Sequence, residues 1–217
     1  MSAAPTGLIH DAGPEPRRDV PDFLAPGEAV TGFAYDPFTD HFFLRLAPGN
    51  RLRVVARPAR AVKRDFVADA LPVTGGGDVA VWPRNGHLFL VHPREASVVE
   101  LTRLGARVRE IPLSGLDSPA AGLAFDATAQ RLLVLAQTTP GLVTLHDLEG
   151  RAVGRVTLER SVRPSLAFDG EAREYYAPLA ETPGMIGIFD EHGRLRRIQP
   201  LPADFIDVGP RSLLRMF

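Results

Sequence analysis

The 217-residue sequence contains no cysteine, which excludes disulfides, thiolate-bound metals and a cysteine nucleophile. It has almost no lysine, Lys63 being the single one among 25 basic residues. It carries almost no net charge, −1 at pH 7, so no polyanion is an expected partner and no nucleic acid is expected to bind. No run of about 18 apolar residues occurs, so no helical membrane span is expected. The opening MSAAPTGLIHDAG shows neither the basic nor the apolar segment of a signal peptide. A cytoplasmic location is the default expectation, with a periplasmic one following if a leader was trimmed. Catalytic signatures are missing too: there is no HExxH, G-x-S-x-G elbow, Walker loop, dinucleotide glycine fingerprint or EF-hand loop. No cofactor and no metal is expected.

What the sequence does have is turn chemistry. Twenty Gly and 20 Pro are spread along the chain between short apolar runs. The phrase Gly122-Leu123-Ala124-Phe125-Asp126 recurs as Gly32-Phe33-Ala34-Tyr35-Asp36 and as Ser165-Leu166-Ala167-Phe168-Asp169, with a looser copy at Asp78-Val79-Ala80-Val81-Trp82. The shared Ala falls at 34, 80, 124 and 167, in steps of 46, 44 and 43 residues. A period of about 40–50 residues with four strands in each unit is the mark of propeller blades. After each opening phrase, second strands are expected at 41–46, 87–92, 131–137 and 174–179. Third strands are expected at 51–57, 97–102, 141–147 and 185–190, and fourth strands at 62–68, 107–113, 153–158 and 195–201. These runs are rich in Val, Leu, Ile and Phe. Several are too uniformly apolar to alternate, as strands covered on both faces should be.

The two ends complete the pattern. Residues 205–217 read as a first strand, a Gly-Pro turn and a second strand, while 8–24 read as a third and a fourth. If Val208 stands for the repeated Ala, the step from Ala167 is 41 residues and the step onward through both termini to Ala34 is 43. The expected fold is therefore all-β, a single five-bladed β-propeller of four-stranded antiparallel blades over 1–217. Its blades are expected at 30–72, 76–113, 119–158 and 163–202, with a fifth built from 204–217 plus 5–26 and closed by both termini. Such closure removes an open sheet edge that would otherwise template aggregation.

The G-[LF]-A-[FY]-D opening, and hairpins such as Phe189-Asp190-Glu191-His192-Gly193-Arg194-Leu195, resemble the NHL-, YncE- and TolB-like propellers along nearly the whole chain. That resemblance implies a fold. Its members include scaffolds, ligand binders, lactone hydrolases and lyases, so it leaves the activity open.

Most chemistry-bearing residues have a structural role to fill. Asp36, Asp126 and Asp169 end first strands, where Asp favours side-chain bonds to the following turn. Arg17-Arg18 and Arg196-Arg197 fall on outermost strands, where charge protects an edge. Gly75-Gly76-Gly77 lacks the Lys-Ser/Thr of a phosphate loop and reads as an inter-blade loop. In a propeller, the loops from second to third strand and between blades converge on one face. The polar residues expected there are Asn50, Asp78, His92, Arg94, Glu95, Asp117, Gln137, Arg163, Glu181 and Asp207. The expected function is a non-catalytic protein-interaction module, an accessory subunit or scaffold with a protein partner. The alternative is a small-molecule binder or lactonase-like hydrolase using acidic residues at the channel mouth, for which Asp78, Asp207 or Glu181 should share a cavity with perturbed pKa values.

Overall fold

The computed structural model describes residues 9–11, 23–57, 59, 61–67, 77–203, 205–209 and 212–216. A short strand β1 (Ile9–Asp11) precedes four blades, each of four antiparallel strands in sequential order. The first holds β2 (Ala29–Asp36), β3 (His41–Ala47), β4 (Arg51–Ala56) and β5 (Ala61–Val67). The second holds β6 (Val79–Trp82), β7 (His87–Val91), β8 (Ser97–Leu101) and β9 (Arg107–Pro112). The third holds β10 (Ala120–Asp126), β11 (Arg131–Ala136), β12 (Leu142–His146) and β13 (Ala152–Thr157). The fourth holds β14 (Ala167–Asp169), β15 (Glu174–Pro178), β16 (Ile186–Phe189) and β17 (Leu195–Gln199). Second, third and fourth strands all lie within two residues of the expected ranges. The chain is an all-β propeller of four-stranded antiparallel blades.

A fifth sheet joins the two ends of the chain in the order β1, β19 (Ser212–Met216), β18 (Phe205–Gly209). Ile9, His10 and Asp11 pair with Met216, Arg215 and Leu214, the kind of closure expected from the sequence. The fourth strand expected for this sheet, Arg17-Arg18 and most of the 73–78 loop lie outside the described residues.

Burial explains the strand compositions. Central strands such as β3 (HFFLRLA) and β11 (RLLVLA) are buried along nearly their full length, on both faces. Outermost strands β5, β9, β13 and β17 are largely exposed and carry the charges, Arg196 and Arg197 among them. The apolar clusters sit between sheets. One joins Phe43 and Leu52 to Leu88 and Val99, another Phe89 and Val98 to Leu123 and Leu132, and a third Leu133 and Val143 to Tyr175 and Phe189. Further clusters join Ile186 and Ile188 to Ile206, and Phe33 and Phe42 to Phe205. Each fully buried Leu or Phe contributes roughly 1.5–3 kcal/mol, and clusters of this kind tie blades to their neighbours.

The turns are built from the repeated Asp, as expected. Asp126 Oδ1 accepts from Thr128 N and Ala129 N, both at 3.0 Å, and Asp169 Oδ1 from Glu171 N and Ala172 N, both at 2.9 Å. Asp147 and Asp190 cap the hairpins between third and fourth strands in the same way. At the tip of one such hairpin, Gly193 has φ +82°, and a Cβ there would lie 2.2 Å from Thr157 O of the preceding blade. Only glycine allows that approach, and its carbonyl accepts from Glu159 N at 2.9 Å.

Candidate functional site

The first strand of each blade has a partner on one side only, so its inner edge turns alternate N–H groups toward the channel axis. Three side chains take up these donors. Asp78 Oδ2 accepts from Leu123 N (3.0 Å) and Leu166 N (3.3 Å), and its Oδ1 from Val79 N (3.0 Å). Asp207 Oδ2 accepts from Tyr35 N (2.6 Å) and its Oδ1 from Val208 N (2.7 Å). Ser165 Oγ accepts from Ile206 N (3.2 Å). Together these bonds run from β2 to β18, from β18 to the start of β14, and from there to β6 and β10.

A buried cation stands beside this ring. Arg45, on β3, is fully buried; its Nε donates to Asn50 Oδ1 (3.0 Å) and its Nη1 to Val91 O (2.7 Å) and Gly77 O (3.2 Å). Among the described residues its Nη2 has no hydrogen-bond partner. Burial lowers the Arg45 pKa to about 10, against which the Asp78 charge works. Burial pushes Asp78 up to about 7, the backbone N–H bonds opposing this and the Asp207 charge adding to it. Asp207 is likewise pushed up to about 7 by burial, against its two N–H bonds. Two carboxylates and one guanidinium in a low-dielectric axis are neutral only when the pair keeps one proton.

A cavity of about 120 Å³ lies next to the pair. Val79, Leu123 and Asp207 form its inner end, while Pro37, Pro83, Ala127 and Gly170 surround its mouth. Those last four residues belong to turns between first and second strands, so the cavity opens on the face opposite the one expected from the sequence. Of the ten candidate residues, Asp207 alone lines it.

The other candidates are dispersed. Asn50 is buried as the partner of Arg45. Arg163 reaches the carbonyl of Ala203 through Nη2. Glu181 is exposed, 3.7 Å from Arg160, in a shallow cleft of about 80 Å³. Arg94, Glu95, Asp117 and Gln137 are exposed. His92 is buried, and its Nδ1 accepts from Arg94 N (3.3 Å) and Glu95 N (3.0 Å). Its ring nitrogens come within 4.8 Å of Glu95 and Glu110 carboxylates, a set with the composition of a metal site. Because the Nδ1 lone pair already accepts two N–H groups, the neutral ring carries its proton on Nε2. Glu110 is meanwhile engaged by Ser97 Oγ (2.7 Å) and Arg107 (2.9 Å). No free imidazole lone pair faces the cluster.

Sequence reasoning missed one feature of the face on which the cavity opens. Phe38 and Leu104 are the most exposed large apolar residues among those described, at 77% and 70%. The segments that carry them meet: the guanidinium of Arg103, which precedes Leu104 in the chain, sits 5.7 Å from the Phe38 ring centroid and pairs with buried Asp36 at 2.8 Å. Asp36 in turn accepts from Phe38 N (3.0 Å), so one carboxylate ties the turn backbone to Arg103. The signal was present in the repeat. Phe38 occupies the turn position filled by Arg84, Thr128 and Glu171 in the other blades, and Leu104 the hairpin position filled by Glu149 and His192.

No protein-family model and no curated protein matches the sequence. Solved structures do. Myxococcus xanthus glutaminyl cyclase aligns with TM-score 0.67 and 15% identity over 99% of this chain and 100% of that one. A nidogen/laminin complex aligns with TM-score 0.66 and 13% identity, covering 95% and 83%. Kuenenia stuttgartiensis hydrazine synthase aligns with TM-score 0.53 and 13% identity, covering 78% and 48%, so this chain spans about half of that one's length. The likeness is one of fold. These neighbours are propeller-like and include both an enzyme and a complex, so they do not choose between the two expected functions. No helix among the described residues is long and apolar enough to cross a membrane.

Proposed function

We propose that the chain is a closed five-bladed ring acting as a non-catalytic interaction module, an accessory subunit or scaffold that presents its first-to-second-strand turn face to a protein partner. One observation carries this reading: two large apolar side chains replace polar ones at turn positions of the repeat on one face, and Arg103, which precedes Leu104, reaches the Phe38 ring. Binding energy concentrates in such preorganised apolar and Arg groups. The expected result is that a partner retained by the wild-type chain from native extract is lost more than about tenfold by the Phe38→Ser/Leu104→Ser variant, a drop typical of removing hot-spot residues. Both positions are exposed, so the variant should keep the wild-type melting temperature. A chain that is monomeric and unaccompanied in native extracts overturns the module.

Ring closure has its own test. Deleting residues 1–11 removes the partner of β19 and exposes a strand edge, and should lower the melting temperature by roughly 5–10 °C, or about 2–3 kcal/mol for a domain of this size. Little change overturns the closure.

A second reading, small-molecule binding by acidic groups of the channel, is favoured by the placement of Asp207 at the inner end of a cavity with Asp78 beside it. At about 120 Å³ the cavity is below the roughly 300–1,000 Å³ of drug-sized sites. Both carboxylates already accept backbone N–H groups, which leaves them poorly placed for lactone hydrolysis. A few waters or a small hydrogen-bond donor fit the space and the charge.

A further inference from the structure

The Phe38–Leu104 surface carries more than apolar area, and its charge describes the partner. We infer that it binds an acidic segment bearing apolar anchor side chains, a specification that rests on the interaction-module reading. Four cations lie on Arg103's hairpin or on the segments next to it. The Arg103 guanidinium packs against Gly86, where an added Cβ would come within 2.1 Å of it. Arg84 belongs to the same turn as Gly86 and is exposed. Arg64 donates through Nη2 to Arg103 O (2.7 Å) and lies 5.6 Å from the Phe66 ring centroid. Lys63, next to Arg64 on β5, is exposed.

Acidic groups do not balance this set. Among the described residues, neither Lys63 nor Arg84 has a carboxylate within ion-pair distance, and the carboxylate facing Arg103 is the fully buried Asp36. Elsewhere on the same face the hairpin and turn cations stand beside acids: Arg151 with Asp147, Arg173 with Glu191, Arg196 with Asp190, and Arg57 with Asp40. In a chain of net charge −1, a local excess of three cations, Lys63, Arg64 and Arg84, on the segments beside two exposed apolar side chains is a departure from the rest of the surface. It matches a partner that is negative at its rim and apolar at its centre. Opposite charge steers such an encounter, and buried apolar anchors hold it.

The test is selection from a random peptide library displayed on phage, with wild type as bait and the Phe38→Ser/Leu104→Ser variant as the counter-selection bait. The expected outcome is enrichment of sequences rich in Asp and Glu that carry Leu, Phe or Trp. Synthetic copies should bind wild type with affinity falling at least tenfold between about 50 and 300 mM salt, as for contacts made by several surface charges. Affinity should also fall at least tenfold in Lys63→Glu/Arg84→Glu, whose surface positions leave the melting temperature unchanged. Enrichment of neutral or basic sequences, or no enrichment over counter-selection, overturns the acidic partner. If native capture is still lost in Phe38→Ser/Leu104→Ser, the module reading survives that failure. Single-stranded oligonucleotide binding abolished by Lys63→Glu/Arg84→Glu would assign the surface to nucleic acid. Dimerisation abolished by Phe38→Ser/Leu104→Ser would assign it to a second copy. Either outcome overturns the proposal.

Discussion

Asp78→Ala is expected to lower the melting temperature by about 10–20 °C at pH 6. The side chain accepts N–H groups from three separate chain segments at the axis, and all three bonds are buried. Leaving a buried donor unsatisfied costs about 1–3 kcal/mol, and Asp78→Ala strips the acceptor from three such donors at once. A total near 5 kcal/mol corresponds to that temperature shift for a domain of this length. Asp147→Ala is the control, because it removes a similar number of N–H acceptors at an exposed hairpin where water replaces them. Thermal unfolding followed by circular dichroism measures both. A shift below a few degrees for Asp78→Ala would mean that the axial bonds do not hold the inner strands together.

The same carboxylates should make the fold lose stability as pH rises from about 4 to about 7. Their folded-state pKa values stand near 7 against an ordinary 3.8. Between those values the folded chain holds a proton that the unfolded chain has released, so the derivative of unfolding free energy with pH is negative. The stabilisation is complete below about pH 4 and is lost as pH passes through about 7. Three pH units at about 1.4 kcal/mol each give on the order of 4 kcal/mol for one such proton. Buried His146 works in the opposite direction. Its pKa is lowered by burial, so it favours folding as pH rises through the ordinary histidine range. Asp65, lowered by its bond to Arg53, matters only below about pH 4. The informative quantity is therefore the difference between wild type and Asp78→Asn/Asp207→Asn in urea unfolding at pH 5, 6.5 and 8. That difference should shrink or change sign as pH rises, and Asp207→Asn alone should show part of it. A pH-independent difference would sink the shared-proton account. A small ligand drawn to Asp207 would raise stability at pH 8 more than at pH 5, which is how the second functional reading would declare itself.

The repeat made most of the fold legible, because short apolar strands, turn residues at regular offsets and a fixed period are local properties of the chain. Asp126 and Asp169 could be assigned to turns for the same reason: their partners lie two and three residues away. The axis was only half legible. Asp78 and Asp207 were recognisable as acids near the channel, but their shared role depends on which strand edges face inward, a consequence of ring geometry. Arg45 was missed because its strand reads as core. Register pairs it with Gly32, where Leu135 pairs with Gly122 in the third blade, so a cation standing in a leucine's place was the available signal. Phe38 and Leu104 were missed although each departs from the repeat, because nothing in the sequence says that a turn of one blade touches a hairpin of the next.

The pairing of Ile9–Asp11 with Leu214–Met216 also constrains the order of events during synthesis. Roughly 200 residues separate the two strands, and at about 5–20 residues per second the ribosome needs roughly 10–40 s to make them. Strand β1 thus waits for a partner made much later, and the sheet that joins the two ends is incomplete until then. Premature pairing of that incomplete sheet with another nascent chain is the hazard this arrangement carries, and crowded translation of one message is the condition in which it would be met.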